Sequence, residues 1–269
     1  MKLKKVGIIT KFGSIESENV AEKIVKKLSK MNTLVYTTTP IKKTIKIESI
    51  DELQNKKLDM VITLGGDGTT LRTFRHLQNE IPILTINVGG NRGILSEIRE
   101  EQIDQALQQI VTNNVFLDKR LRIVAECSGR EFPPALNEIY INRKNLTKTS
   151  EFTIRFQNDT VKQKMDGVII ATPSGSTGHS FSLGGPILHE SLNTLIITPV
   201  APVYGLESIV VPAKKIQVDC SHDCNIVMDA QVIKSARFDE SIIIKKYNKQ
   251  AVFIRLKKRG LRQMNKLGF

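Results

Sequence analysis

The chain has 269 residues, of which 40% are apolar, and this is enough to build the cores of two compact domains. Its formal net charge of +13 predicts a surface that attracts polyphosphates, nucleotides or nucleic acid. Only 5% of the residues are aromatic, and neither a zinc-finger spacing nor an aromatic-rich RNA-binding motif occurs, so no specific nucleic-acid partner is expected.

The chain is expected to be cytoplasmic and to have no membrane partner. It has no apolar run near the roughly 20 residues that cross a bilayer, and residues 1–5 lead into a strand-like stretch without a signal-peptide core. An odd number of cysteines without a disulfide-type spacing fits a reducing compartment. The Cys220–Cys224 stretch lacks the paired ligands of a zinc site, so we expect a turn between two strands and no metal site.

The first part of the chain alternates short apolar runs with amphipathic stretches. Strands are expected at residues 6–9, 34–36, 60–64 and 83–86, and helices at 20–28 and 103–111. This rhythm is typical of a parallel sheet flanked by helices. We therefore expect an α/β domain over residues 1–111.

Beyond residue 112 the helical period disappears and β-rich runs follow one another. They lie at residues 139–141, 152–156, 167–170, 196–197, 209–211, 242–244 and 252–254. The expected second domain, residues 112–245, is β-rich. Residues 246–269 form a basic C-terminal segment, expected to pack on the first domain and to include a short helix within Lys257–Lys266.

The stretch Leu64-Gly65-Gly66-Asp67-Gly68-Thr69-Thr70-Leu71 follows a buried strand and begins a helical pattern. Its glycines allow backbone N–H groups to approach a ligand, and a helix N-terminus favours phosphate. Asp67 would repel phosphate, but a base that accepts a proton from an attacking hydroxyl needs a carboxylate. The loop is not a Walker A motif, which ends in Gly-Lys-Ser/Thr. The alternative is a tight turn in which Asp67 caps the helix.

A second informative stretch begins at Asp166-Gly167, continues as a strand, and enters the loop Thr172-Pro173-Ser174-Gly175-Ser176-Thr177-Gly178-His179-Ser180-Phe181-Ser182. Small hydroxyls and glycines offer many donors and acceptors in little volume, which suits a nucleotide. The alternative is a flexible surface loop of similar composition.

Three stretches in this order resemble the NAD kinase family: Gly65–Thr69, Asn137–Glu138, and Asp166–Gly167 with Thr172–Thr177. The first also resembles diacylglycerol kinases and phosphofructokinases, whereas the third is close to unique to NAD kinases. Residues 91–95 resemble a turn of the same family. The resemblance implies the two domains described above, with a dinucleotide held between them in a homodimer or homotetramer. It further implies ATP-dependent phosphorylation of the 2′-hydroxyl of the adenosine ribose of NAD, with Mg²⁺ or another divalent metal.

The resemblance also implies a set of site residues. Asp67 resembles the catalytic base, and the residues that resemble contacts to NAD or ATP are Gly68, Arg72, Asn137, Glu138, Lys148, Lys164, Asp166, Thr177, Gly178, His179, Ser180, Phe181, Ser182, Ala201 and Gln231. Two departures stand out. His179 occupies the position where many members have a tyrosine. Residues 198–205 lack the histidine of many bacterial members, and in this the chain resembles the archaeal-type members of the family.

Three other functions fit parts of the sequence. A lipid or sugar kinase would share the Gly65–Gly68 loop but would not explain residues 172–177. A hydrolase could use Ser176 or Ser180 with His179, although no Gly-x-Ser-x-Gly elbow is present. A non-catalytic nucleotide- or nucleic-acid-binding protein could use the positive charge and the same loops without turnover.

Overall fold

A computed structural model describes residues 3–89 and 93–258 of the chain. The strands in these ranges are, in chain order, β1 (Lys5–Thr10), β2 (Leu34–Thr37), β3 (Ile45–Lys46), β4 (Met60–Leu64), β5 (Ile83–Asn87), β6 (Ile98–Arg99), β7 (Phe116–Arg120), β8 (Ile123–Cys127), β9 (Arg130–Glu131), β10 (Glu138–Arg143), β11 (Ser150–Phe156), β12 (Asp159–Met165), β13 (Gly167–Ala171), β14 (Thr194–Val200), β15 (Ile209–Pro212), β16 (Ile216–Cys220), β17 (Cys224–Met228), β18 (Val232–Ala236), β19 (Ile242–Lys246) and β20 (Ala251–Arg255). Every strand expected from the sequence is confirmed.

The helices in the described ranges are α1 (Ile15–Lys30), α2 (Asp67–His76), α3 (Ile103–Val111) and α4 (His179–Ser182), with 3₁₀ turns at Ile50–Asn55, Glu100–Gln102 and Gly175–Thr177. Helix α1 begins earlier than its apolar repeat indicates, because the Ser14 side chain caps it by accepting from the Ser17 N–H. None of the described helices has the length and apolar character that crossing a bilayer requires.

The chain folds into two compact units. The described residues up to Lys119 and those from Ala251 onward form the first, and Arg120–Gln250 form the second. Strand β7 therefore extends the first unit's sheet past residue 111, and β20 pairs in parallel with β5 of the same sheet. Residues 259–266 of the predicted basic tail, with its short helix, lie outside the described residues, as do Asn91 and Arg92.

The first unit contains a sheet in the order β3-β2-β1-β4-β5-β20-β7, with β6 beside β5. The pairs from β3 to β20 are parallel, and β4 is buried along its whole length between flanking layers. The chain moves outward from β1 in one direction through β2 and in the other through β4. The switch point therefore lies between β1 and β4, where open parallel sheets bind ligands beyond their carboxyl ends.

The second unit packs two six-stranded sheets face to face, in the orders β15-β14-β13-β10-β17-β18 and β12-β11-β16-β19-β8-β9. Alternate residues of β10 and β13, such as Ile139 and Ile170, enter the common core with Phe152 of the opposite sheet. The residues between them, including Tyr140 and Ile169, face the other side, where Leu188 packs. The expected α/β domain with a parallel sheet and the β-rich domain are both confirmed.

Candidate active site

The turn after β4 brings Asp67 to the switch point of the first sheet. Gly65 has a φ of +149°, and a Cβ there would lie 2.5 Å from the Thr69 hydroxyl oxygen, so only glycine fits. Helix α2 begins at once, with Gly66 as its N-cap. The glycines therefore let the chain leave the strand and enter the helix within two residues.

Both carboxylate oxygens of Asp67 are held by backbone N–H groups. The Ile94 N–H donates to Oδ2 and the Leu95 N–H donates to Oδ1, each at 2.9 Å. A Cβ at Gly93 would lie 2.4 Å from Oδ1, so this close approach depends on glycine. We call this arrangement of the 93–95 backbone around Asp67 the carboxylate clasp.

The interpretation of Asp67 as a helix cap is wrong. The N-cap of α2 is Gly66, and no side-chain hydrogen bond caps this helix. The carboxylate reaches across to residues 94 and 95 instead. Each of its oxygens has a second lone pair that can accept a proton or hydrogen bond from a ligand.

A cavity of about 420 Å³ lies beside the turn and is lined by Lys11, Phe12, Gly66, Gly68, Thr69 and Arg72. Arg72 is fixed in place because its Nη2 donates to the Thr10 carbonyl oxygen at 2.8 Å. Its Nε has no hydrogen-bond partner among the described residues and can still donate to a ligand. Two cationic side chains and a helix N-terminus give this cavity the character of an anion site. Gly68 and Arg72, two of the predicted ligand contacts, both line it.

In the second unit, the predicted residues Asn137 and Glu138 lie against the loop that follows β13. The Thr172 N–H donates to the Asn137 carbonyl oxygen at 2.8 Å. A Cβ at Gly175 would lie 2.1 Å from the same oxygen. The side-chain oxygens Asn137 Oδ1 and Glu138 Oε2 are buried and have no hydrogen-bond partner among the described residues. Polar atoms in this state are suited to meeting a ligand.

Asp229 is a residue whose role the sequence did not reveal. It is 3% exposed, and its carboxylate accepts the N–H groups of Leu136, Asn137 and Glu138 at 2.7–3.2 Å. It thus fixes the backbone that carries two predicted ligand contacts. Little in the sequence pointed to Asp229, because it and Ala230 form a tight turn with φ values of +49° and +52° that residue types alone do not predict.

Several hydroxyls of the 172–182 loop hold the loop itself. Ser176 Oγ donates to the Pro173 carbonyl oxygen at 2.8 Å, and the buried Ser180 hydroxyl pairs with the Thr198 hydroxyl at 2.8 Å. Neither serine is paired with His179, so no nucleophile and base of a hydrolase are formed. Gly178, His179, Phe181 and Ser182 reach the surface, whereas Thr177 is largely buried.

The imidazole of His179 packs edge-on against the ring of Tyr140, with ring centroids 5.2 Å apart and an angle of 83° between the planes. His179 is one of the two positions at which the sequence departs from the family that it resembles. An aromatic contact at this position is therefore present, but it links the loop to strand β10.

The remaining second-unit residues fall into two groups at opposite ends of β10 and β13. Asn137, Glu138, Gln231 and residues 177–182 lie at one end, because Glu138 pairs with Ala171 and the Gln231 turn follows Met228, the partner of Ile139. At the other end, Asp166 forms an ion pair with Arg143 at 2.8 Å. We call these the loop group and the Asp166 group. Five strand residues separate them, a rise of roughly 16 Å.

The Asp166 group contains the other three predicted residues. The Lys148 carbonyl oxygen accepts from Arg143 Nη1 at 3.3 Å, which ties it to the ion pair. Lys164 lies at the end of β12, and its carbonyl oxygen accepts the Val203 N–H at 3.0 Å. Ala201 follows Val200, whose carbonyl oxygen accepts the Asp166 N–H at 2.9 Å. Lys148 and Lys164 are exposed.

Glu138 is an unusual acid because it is 6% exposed and has no cation beside it in the described contacts. Burial and, to a lesser extent, the neighbouring Asp229 carboxylate together raise the pKa of Glu138 from 4.5 to about 8. The neutral acid is thus favoured near pH 7.

This pKa predicts a pH dependence of stability. Between about pH 4.5 and 8 the folded protein keeps a proton on Glu138 that the unfolded chain releases, so the free energy of unfolding falls as pH rises through this window. Glu138→Gln cannot ionise, so its stability lacks this pH dependence. In thermal unfolding, the melting temperature of the variant minus that of the wild type should increase as pH rises. The exposed Glu22→Gln serves as control. A difference that does not vary with pH would contradict the prediction.

Comparison with known proteins adds to this geometry. A family model described as the ATP-NAD kinase N-terminal domain matches residues 6–115, and one described as the ATP-NAD kinase C-terminal domain matches residues 136–256. An NAD kinase of Methanothermobacter thermautotrophicus is 31% identical over 265 residues, covering 94% of this chain and 92% of that protein. An NAD kinase of Methanosarcina acetivorans is 28% identical, covering 95% of each.

Two solved structures are similar along most of the chain. The crystal structure of an NAD kinase from Archaeoglobus fulgidus in complex with ATP has a TM-score of 0.80 at 30% identity, covering 98% of this chain and 97% of that one. Yeast NADH kinase complexed with NADH has a TM-score of 0.88 at 19% identity, covering 100% and 88%. At that identity the second likeness shows the fold alone.

Proposed function

The chain belongs to the ATP-NAD kinase family, and we propose on this basis that it transfers the terminal phosphoryl group of ATP to the 2′-hydroxyl of the adenosine ribose of NAD. The products are NADP and ADP. The observation that carries the proposal is the carboxylate clasp: Asp67 is held by two N–H groups at the sheet's switch point, beside an anion cavity.

The chemistry needs a proton acceptor and an anion site. As the ribose 2′-oxygen bonds to the γ-phosphorus, its proton passes to Asp67, and the bond from the γ-phosphorus to the β,γ-bridging oxygen breaks with ADP as leaving group. The clasp supports this role because it aims the carboxylate while leaving one lone pair on each oxygen. Lys11, Arg72 and the N-terminus of α2 provide positive charge for the phosphates.

We propose Mg²⁺ or another divalent cation as the cofactor that accompanies ATP. No group of three or more metal-ligating side chains lies together in residues 3–89 and 93–258. A carboxylate with free lone pairs beside a phosphate cavity fits a cation held mainly by phosphate oxygens and water. When bound, the metal would neutralise charge on the transferring phosphates.

The second unit supports recognition of the dinucleotide. Asn137 Oδ1 and Glu138 Oε2 are unpartnered acceptor positions, and a protonated Glu138 is also a donor. We propose that the loop group binds the adenosine side of NAD and that the Asp166 group binds a separate part of the ligand, since a whole strand lies between them.

The alternatives explain less. A lipid or sugar kinase that shared only the Gly65–Gly68 turn would leave unexplained the C-terminal family match over residues 136–256. A non-catalytic binder of nucleotides or nucleic acid would gain nothing from Asp67, because a carboxylate beside the cavity repels phosphate. We therefore propose no specific nucleic-acid partner.

The proposed base is tested by Asp67→Asn. The amide cannot accept the proton, so kcat should fall by roughly 10²- to 10⁴-fold while the Kd for NAD changes little. Stability should also fall, because one of the two clasping N–H groups loses its acceptor. Steady-state kinetics, NAD titration and thermal unfolding measure the three effects.

Asp59→Asn is a matched control in the same unit. Asp59 also accepts two backbone N–H groups, from Lys4 and Lys5, both on its Oδ2, and it directly precedes β4, at the opposite end of that strand from the turn. Its kcat should remain near that of the wild type. If Asp67→Asn kept a near-normal kcat and lost only NAD binding, Asp67 would be a ligand contact and not the base.

The role of the Asp166 group is tested by Asp166→Ala. If Asp166 holds the dinucleotide, KM for NAD should rise more than kcat falls. Asp219→Ala, which breaks an Asp–Arg pair with Arg155 in the opposite sheet, is the control and should leave KM unchanged. An unchanged KM in Asp166→Ala would remove this residue from the site.

We further propose a cytoplasmic homodimer or homotetramer. The three cysteines are buried free thiols, which fits a reducing compartment.

The association is supported by an exposed apolar edge of the second unit. Apolar side chains are exposed along the edge strand β15 and the turn before it, at Val203, Tyr204, Ile209 and Val210. Sedimentation equilibrium should give two or four copies, and a monomer at micromolar concentration would contradict the proposal.

A further inference from the structure

The carboxylate clasp is anchored on its far side by two buried residues. The Leu95 carbonyl oxygen accepts the Thr85 hydroxyl at 3.0 Å and Arg255 Nη1 at 3.2 Å, so both of its lone pairs are occupied. Thr85 lies on the central strand β5 and Arg255 ends β20, 160 positions further along the chain from Leu95. The segment that holds Asp67 is thus tied to two strands of the sheet.

Further bonds fix the same segment. The Glu97 N–H donates to the Thr85 hydroxyl oxygen at 2.9 Å, so one hydroxyl bridges Leu95 and Glu97. Glu97 Oε2 pairs with Arg255 at 3.3 Å, and both side chains are 4% exposed. Glu97 Oε1 accepts the Leu256 N–H at 2.9 Å, and Arg255 Nε donates to Asp118 at 3.0 Å. The guanidinium fork therefore meets three different acceptors.

The connection to Asp67 is short. The Leu95 carbonyl is anchored on one side of its Cα, and the Leu95 N–H that bonds Asp67 Oδ1 is on the other. Peptide planes are rigid, so only the φ and ψ angles of Leu95 lie between the anchor and the donor. The direction of the N–H that holds Oδ1 is therefore coupled to the anchoring of the Leu95 carbonyl.

We propose that Thr85 and Arg255 are positioning residues for phosphoryl transfer, acting through the Leu95 backbone on the Asp67 carboxylate. The inference rests on the proposed function. Neither side chain needs to touch a substrate. They contribute by orienting the base. A displacement of about 1 Å is enough to lower the rate of a reaction that depends on positioning.

Thr85→Val is the sharpest test, because it keeps the shape and removes the bridging hydroxyl. We expect kcat to fall roughly 10- to 100-fold, with KM for NAD and ATP within about twofold of the wild type. Thr85→Ser restores the hydroxyl and should restore kcat to within about threefold. If the valine variant does not fold, Thr85→Ala removes the same hydroxyl without adding a methyl group.

Matched controls separate positioning from stability. The buried Thr33 hydroxyl donates to the Leu3 carbonyl oxygen at 2.8 Å in the same unit, so Thr33→Val should lower the melting temperature similarly without lowering kcat. Arg255→Lys loses the planar fork and should lower kcat. Arg122→Lys is its control and should leave kcat unchanged. Arg122 is also a buried arginine over an aromatic ring, that of Tyr247, and it donates to the carbonyl oxygens of Lys249 and Gln250.

The outcomes also distinguish this inference from the function on which it rests. If the wild type forms no NADP, the proposed function fails. If the wild type turns over and folded Thr85→Val or Thr85→Ala retains the kcat of Thr33→Val, positioning by Thr85 is wrong while the function stands. If kcat falls and KM rises together, and Thr85→Ser does not recover, the residue acts on the fold and not on the base.

Discussion

The constraint on which the first unit's site depends is that a carboxylate must stand beside an anion cavity and still point in one direction. Left free, Asp67 would turn away from phosphate or toward Lys11 and Arg72. Two N–H groups from residues 94 and 95 prevent this by holding one oxygen each. Glycine is required at 93 because a Cβ there would collide with Asp67 Oδ1, and at 65 because a Cβ there would collide with the Thr69 hydroxyl oxygen.

The second unit also contains a carboxylate held by backbone N–H groups, but there the acid that faces a ligand is neutral. Asp229 accepts three N–H groups and fixes the start of β10, while Glu138 beside it is buried without a cation. Burial first, and the negative charge of Asp229 second, raise the pKa of Glu138 to about 8. The pair therefore combines a charged residue that organises backbone with a neutral one that faces a ligand.

Much of this was readable from the sequence. The buried runs, such as residues 60–64 and 167–170, predicted the strands, since continuous apolar stretches bounded by glycine have few other uses. The motif order predicted the family. The carboxylate clasp, the Asp229 turn and the Arg255 anchor were not predictable, because each joins residues far apart in the chain through backbone groups. The hydrogen bonds of the Ser176 hydroxyl within its loop and of the Ser180 hydroxyl to Thr198 of β14 were likewise not predictable from residue types.

We propose that the clasped carboxylate of Asp67 serves a reaction at the ribose 2′-hydroxyl. The most direct measurement is to incubate the purified protein with NAD, ATP and Mg²⁺ and to identify the product by ³¹P NMR and by an NADP-specific dehydrogenase. We expect one new phosphomonoester at the 2′ position of the adenosine ribose and an equal amount of ADP. ATP consumption without NADP, or phosphate at another hydroxyl, would contradict it.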